Sequence, residues 1–505
     1  MKKNHNNYCS SKARTKKFLS SRPASLASPR DSASNNNQRG YFLATILVFA
    51  TVIIILTTSL IYISINQKKY FTASREKASA RQIAEAGVNY YLWHLAHDNE
   101  DYADGTGDIC DPTCGPYAHQ YRNSRGEIVG TYSLEITPPE TGQNYVTVVS
   151  TGQLTGSQEV KVIESRLGIP SFARYSLLST DDIWFGPDED SYGPVHSNVG
   201  VRHQGEAFDG IVTASNETYY CTSGSCGQQG WHPGVWCDDY PGCSRLHSGY
   251  SFPVPPIDFN HITANLAQMK TDAQAGGLYF GASGGRGYHI ILNQTNFQLY
   301  RVTQTRCGAS QSSCNVYTQM GWQRTADDIR TEVLLGTYNF PANGLVFTED
   351  NLWIQGTINN AQLTFAAARF PDTASTNASI IVNNNLLYTN YDGTDKIGLI
   401  AQKFITLPKI SPNYLEIDAA MVSQHGMIEW HNYPNTIYQR IKVHGSMATN
   451  GGLVWTWVAG GSTPVIVTSG YRETITEYDD YLTFGPPPSF PTTGAYAILY
   501  WEERP

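Results

Sequence analysis

From Tyr41 to Ile65 the chain runs 25 residues without a charged side chain, and the next charge is Lys68. A helix of that length rises about 38 Å, enough to cross a hydrocarbon core of about 30 Å with some tilt. The many β-branched residues, among them Val48, Val52 and Ile53 to Ile55, would suit a strand in water. In lipid a lone strand leaves its backbone groups unpaired, so the segment is read as a transmembrane helix. Residues 1–39 hold nine Lys or Arg against the single acid Asp31. The positive-inside rule therefore keeps the N-terminus in the cytoplasm and sends the rest of the chain outward. Ser, Asn and Pro fill the remainder of residues 1–40, which reads as a disordered basic leader.

A secretory signal would place its cut after a shorter apolar core. Here Arg39-Gly40-Tyr41-Phe42 places a cut before the apolar run. This arrangement resembles the class III signal of type IV pilins and type II secretion pseudopilins. The resemblance implies that a prepilin peptidase removes the leader after Gly40 and methylates the new N-terminus at Tyr41. Major pilins mostly carry Glu at the fifth mature position, where this chain has Thr45. PilX-type and GspK-like minor components commonly lack that acid, so the resemblance points to an accessory subunit. Beyond the span, Ala84, Val88, Tyr91, Leu92 and Leu95 mark one face of an amphipathic helix. The segment Ala84-Glu85-Ala86-Gly87 within it is similar to the end of PilX-type N-terminal regions.

Removing residues 1–40, with nine bases and one acid, takes the chain's 35 bases and 43 acids to 26 and 42, a net charge of −16. Such a surface repels phosphate backbones, and no nucleic-acid partner is expected. Cys9 lies in the leader, while the other eight cysteines fall into four close pairs: Cys110/Cys114, Cys221/Cys226, Cys237/Cys243 and Cys307/Cys314. An even count outside a membrane reads as disulfides, with local pairing the simplest choice and the connectivity open. Zinc is the rival for the middle four, with His232 and His247 nearby, but no spacing is that of a zinc ribbon.

Residues 99–118 form a Gly/Asp/Pro loop, after which Ile128 to Thr137, Asn144 to Gln153 and Glu159 to Leu167 alternate as antiparallel strands, with Val146, Val148, Val160 and Val162 turned to a core. Later, short apolar alternations recur: from Ile354 the steps to Ile380, Leu399, Ile417 and Val443 are 26, 19, 18 and 26 residues. That irregular period of about 20 suits the coils of a β-solenoid. A β-sandwich also explains short, regularly spaced strands and is the alternative. The segments Gly193 to Asn198, Gly398 to Ala401, Ile417 to Ala420 and Tyr478 to Leu482 resemble an uncharacterised extracellular domain that accompanies PilX-type N-termini. The expected fold is thus α+β and membrane-anchored: a leader at 1–40, a pilin-like helix at 41–98, a small β headgroup at 99–170 and a large all-β domain at 171–505. Residues 215–345 read as an insertion with a helix at Ile257 to Ala275, its buried stripe Ile262, Leu266, Met269 and Ala273.

Within the insertion, Trp231, Trp236, Tyr240, Tyr250 and Trp322 either face a glycan or protein ligand or cover the disulfide loops. The acid doublets Asp181-Asp182, Asp238-Asp239, Asp327-Asp328 and Asp479-Asp480 raise the possibility of a glycan hydrolase. Adjacent acids on a strand point apart, so they read as solvated turns. His196 reads as a structural histidine, and no nucleophile elbow, P-loop or metalloprotease motif is present. The expected function is a minor pilus-like component displaying an adhesive or structural β-rich domain, with no cofactor and no metal. Its partners are the membrane, the prepilin peptidase, other pilin-like subunits and a surface glycan or protein. An unprocessed anchored surface protein is the alternative.

Overall fold

The computed structural model describes residues 38–139, 144–187, 189–222, 226, 228–307, 315–318, 321–324, 327–459, 466–494 and 496–504. The leader at 1–37, Cys9 and Cys314 lie outside the described residues. The side chains of residues 38–40 and of Trp322 do as well. Contacts divide the chain into two units, Met1–Ser74 and Arg75–Pro505. One helix, α1 (Gln38–His97), is long and apolar enough to cross a membrane among the described residues. A large, mostly strand region follows it.

In the second unit the end of α1 packs on an antiparallel sheet of β1 (Cys114–Arg122), β2 (Ile128–Thr137), β3 (Tyr145–Leu154) and β4 (Val160–Gly168). Ile83, Ala84, Val88, Tyr91 and Leu95 are buried against Leu134, Ile136, Val146, Val148, Ile163 and Leu167. The small residues of the Ala84-Gly87 segment now have a cause. A Cβ on Gly87 would lie 2.3 Å from Ser150 Oγ, and one on Gly152 would lie 2.4 Å from the Ala80 carbonyl. Helix and sheet touch there, backbone to backbone.

Two local readings need correction. Residues 114–118, expected in a loop, begin β1. On β4 the core-facing residues are Ile163, Ser165 and Leu167, while Val160 is exposed and Val162 half-buried. Ser165 hides this phase by placing a hydroxyl on the inward row, where it donates to the Tyr500 carbonyl at 2.9 Å. That contact reflects a larger difference: the C-terminal strand Ala497–Arg504, read as part of the 171–505 region, pairs antiparallel with β4 and completes the small sheet.

Between β4 and that last strand the chain forms several sets of parallel pairings, three of them long. The first ladder begins with Leu278–Phe280, Leu345–Thr348, Gln362–Ala367 and Lys396–Ala401. It continues through residues 420–423 and 446–449. Here the order breaks with the sequence, because 447–449 pairs next with Leu177–Ser179, followed by Val195–Ser197, Val212–Ala214 and Tyr250–Ser251. The second ladder runs through residues 288–290, 352–354, 380–382, 405–406, 428–429 and 453–454. The third joins 386–388, 414–419, 440–445 and 473–478. Ile354 pairs with Val382 rather than Ile380, and Leu399 belongs to a different ladder from Ile417 and Val443. The period counted from the sequence therefore crosses ladders.

Alternation gives the first ladder two faces. Val346, Phe365, Leu399, Met421, Met447, Leu177 and Val195 form the inward row, continuous with the main core. The outward row is Phe347, Ala366, Ile400, Val422, Ala448 and Leu178, in register from strand to strand. The helix α2 (His261–Gly276) covers it with Ile262, Leu266, Met269 and Ala273, the expected stripe. Connecting residue 251 to residue 278 requires a passage over nine ladder steps, about 43 Å at about 4.8 Å each. Helix α2 supplies about 24 Å of that.

Candidate ligand-facing surface

Helix α1 starts at Gln38, so Gly40 and Tyr41 fall in its first turns. The Thr45 hydroxyl donates to the Tyr41 carbonyl at 2.7 Å. It is a neutral group occupied within its own helix.

Cys110 is bonded to Cys114, Cys221 to Cys226 and Cys237 to Cys243, with Cα separations of 4.6, 5.9 and 5.5 Å. Cys307 is also disulfide-bonded. Cys237, Asp239 and Cys243 bring three metal-ligand atoms within 4.8 Å of one another. Two of them share a disulfide, so only the Asp239 carboxylate retains a donor for a cation.

The strands Ile183–Phe185, Val201–His203 and Val235–Trp236 pair in parallel and place Trp184, Arg202 and Trp236 in one row. The Arg202 guanidinium lies 5.8 Å from the Trp184 ring and 4.5 Å from the Trp236 ring, a cation held between indoles. It also donates to the Cys226 carbonyl and sits 3.5 Å from Asp238. Outside this row Trp184 Nε1 donates to Gln204 Oε1 at 2.9 Å, and Gln204 Nε2 donates to Asp238 at 3.2 Å. An indole edge, an amide and a carboxylate are thereby fixed side by side on the surface.

A hairpin of Thr218–Cys221 and Gly230–Pro233, bearing the Cys221–Cys226 bond, sits beside that row. Its inner face packs through Tyr219, whose hydroxyl accepts from Trp236 Nε1 at 2.9 Å, and through His232, stacked on Trp236 at 3.9 Å. Its outer face presents Tyr220 opposite Trp231, edge to face at 5.7 Å. Trp231 is 72% exposed. The aromatic candidates thus separate: Trp231 and Tyr240 are exposed, Tyr250 is half-buried, and Trp236 is buried support.

The acid doublets serve turns in different ways. The Asp181 side chain accepts from the Asp182 amide, and Asp239 accepts from Ser244. Asp327 lies 3.2 Å from buried His431, while Asp328 accepts from the Ile410 amide. Asp479 accepts from the Tyr481 amide, with Asp480 exposed beside it. Asp418, His444 and Glu477 form a cross-strand row in the third ladder. Burial pushes the Asp418 carboxyl up, against the opposing pull of the Tyr388 amide and Tyr391 hydroxyl, both at 2.8 Å. Burial likewise pushes Asp479 up, opposed by His444.

His196 is buried and hydrogen-bonded on both nitrogens, to Thr213 at 2.9 Å and Asn198 at 3.0 Å. Burial pushes its imidazole down, against the Asn198 contact. Asn198 in turn exchanges two hydrogen bonds with the backbone of Ile257, where the chain approaches α2. The Gly193 to Asn198 segment is thus a clamp on that approach. Sequence reasoning missed Trp184, Arg202 and Gln204. The signal was the repeated triplet Ile183-Trp184-Phe185, Val201-Arg202-His203 and Val235-Trp236-Cys237, each a β-branched residue followed by a large side chain.

No family model and no curated protein matches the chain. Among solved structures it is similar to the competence-associated pilin ComZ from Thermus thermophilus, at 12% identity and a TM-score of 0.32, over 85% of this chain and 97% of that one.

Proposed function

We propose that the chain is a minor pilin-like surface component that carries a β-rich binding domain. Its basic leader is removed at Gly40-Tyr41 by a prepilin peptidase, and the apolar part of α1 anchors it in the membrane and then packs among the helices of other pilin-like subunits. The observation that carries this reading is the head: the end of α1 lies on an antiparallel sheet whose last strand is the C-terminus of the chain, with the large strand region between its two final strands. The parallel ladders support winding of that region as a three-faced β-solenoid. They count against a β-sandwich, whose sheets are antiparallel.

The domain acts by binding a surface glycan or protein, through Trp184, Gln204 and Asp238 and the adjacent Tyr220 and Trp231. A glycan suits the first group because its C–H face stacks on an indole while its hydroxyls pair with an amide and a carboxylate. Mass-spectrometric sequencing of protein extracted from the cell envelope tests the pilin reading. A methylated N-terminus at Tyr41 is expected; an intact Met1 end would instead mark a permanently anchored surface protein.

A further inference from the structure

Removal of the leader inverts the balance of charge across the apolar run. Before it, nine bases precede Tyr41, and the first charges beyond Ile65 are Lys68 and Lys69, followed by Arg75, Glu76 and Lys77. After it, the leader side keeps a single charge, the ammonium of Tyr41. The bases that adjoin the run are then Lys68 and Lys69 on the outward side, in a mature chain whose net charge is −16.

Residues 68–71 continue α1, and each step along a helix turns the side chain by about 100°. Four consecutive residues therefore encircle the axis, with Lys68 and Lys69 on one half and Tyr70 and Phe71 on the other. At about 1.5 Å per residue they lie about 4–9 Å beyond Ile65. The headgroup layer on each side of the hydrocarbon is about 5–8 Å deep, so this collar falls within it or at its outer edge. Both lysines are exposed, and neither has an ion-pair partner among the described residues. Tyr70 is 75% exposed and Phe71 69%.

Aromatic rings favour that depth, and a lysine there lays its stem along the apolar boundary while its ammonium reaches the phosphates. Two unpaired ammonium groups side by side favour a headgroup of net negative charge over a zwitterionic one, which carries its own cation. Phosphates also surround any helix that crosses a membrane, whereas an acidic protein surface would have to be brought to the collar.

We propose that Lys68 and Lys69 bind the headgroups of anionic phospholipid in the outward-facing leaflet and, once the leader is gone, hold α1 at its depth, with Tyr70 and Phe71 seated in the same layer. This rests on the membrane-anchored reading given above.

Photo-crosslinking on the full chain tests it. Benzoylphenylalanine replaces Tyr70, the protein is reconstituted in vesicles of equal parts phosphatidylcholine and phosphatidylglycerol, and mass spectrometry counts the lipid adducts. Adducts to phosphatidylglycerol are expected to outnumber those to phosphatidylcholine about fivefold. Lys68→Gln combined with Lys69→Gln brings the ratio to about one, while Lys68→Arg combined with Lys69→Arg keeps it. The leader's bases lie at the opposite leaflet, about 30 Å away and beyond the screening length of about 10 Å at 0.1 M salt, so they do not raise the ratio at position 70. Absence of any lipid adduct overturns the anchored reading itself. Adducts in equal proportion to both lipids, an enrichment that survives in the glutamine variant, or a ratio that falls as far in the arginine variant overturns the assignment to anionic lipid and leaves the anchor standing.

Discussion

His203 shows how a single side chain sets an acid limit for this protein. It is buried, with Nδ1–H donating to the Gly205 carbonyl at 3.1 Å, Nε2 accepting from Ser191 at 2.9 Å and the ring stacked 4.3 Å from Phe185. Burial outweighs the favourable Gly205 contact and pushes the imidazole down to about 4. The unfolded chain would protonate it near 6.5, so from about pH 6.5 to about 4 the unfolded state holds more protons and stability falls with acid. The full effect is about 3 kcal/mol at 1.36 kcal/mol per pH unit. His203→Gln keeps a donor and an acceptor but cannot charge. Denaturant titrations at pH 7 and pH 4 should show the unaltered chain losing about 3 kcal/mol more than the variant; equal losses would contradict the assignment. On the surface, Trp184→Ala combined with Trp231→Ala should weaken ligand attachment by about 2 kcal/mol, roughly thirtyfold. Measured binding to isolated cell-surface glycans should fall while stability stays within about 0.5 kcal/mol, because neither ring is core.

At the scale of elements, α2 acts as the cover over the outward row of the first ladder. Leu266 is fully buried in the stripe that covers the first ladder. Leu266→Ala should cost about 2–5 kcal/mol, depending on how far Ala366, Ala420 and Ala448 allow the helix to settle. A chemical-denaturation midpoint measures this, and a loss below about 1 kcal/mol would mean the helix is a loose cover. Helix α2 and strands β2 and β3 were legible because each repeats one period against one core. The ladders were not, because in-register residues such as Phe365, Leu399, Met421 and Met447 are separated by 34, 22 and 26 positions. No fixed window can detect such unequal excursions. A better signal was the hydroxyl at the end of many first-ladder strands, Thr348, Ser423, Thr449, Ser179 and Ser197, each followed by a polar residue. Ser179 and Ser197 donate to the carbonyls of Gly451 and Asp181, so these positions mark corners. Gln204 and Asp238, 34 positions apart, meet only through the pairing of adjacent strands, which leaves their proximity invisible in the sequence.

For the second unit as a whole, the decisive fact is that its head closes last. The two chain segments leaving the small sheet run beside each other, with Phe172 N donating to the Pro491 carbonyl at 3.1 Å and Thr493 N to that of Pro170 at 2.8 Å. The strand region is thus held by a doubled neck, and the sheet depends on Ala497–Arg504 reaching β4 across more than 300 positions of sequence. Ion pairs at that seam, Arg504 with Glu164 and Lys161 with Glu503, lie at the surface and contribute little by themselves. The ladder hydrogen bonds and the cover over the sheet carry the attachment. Deleting residues 497–505 should therefore leave β4 as an unpaired edge and loosen the head, while the parallel ladders, which end by residue 478, keep their partners. Hydrogen exchange on the full-length and shortened chains separates the two regions. Protection should drop at residues 160–168 and along 83–95 of α1, and persist at 345–367 and 396–449. A uniform loss across both regions would show instead that head and ladders open as a single cooperative unit.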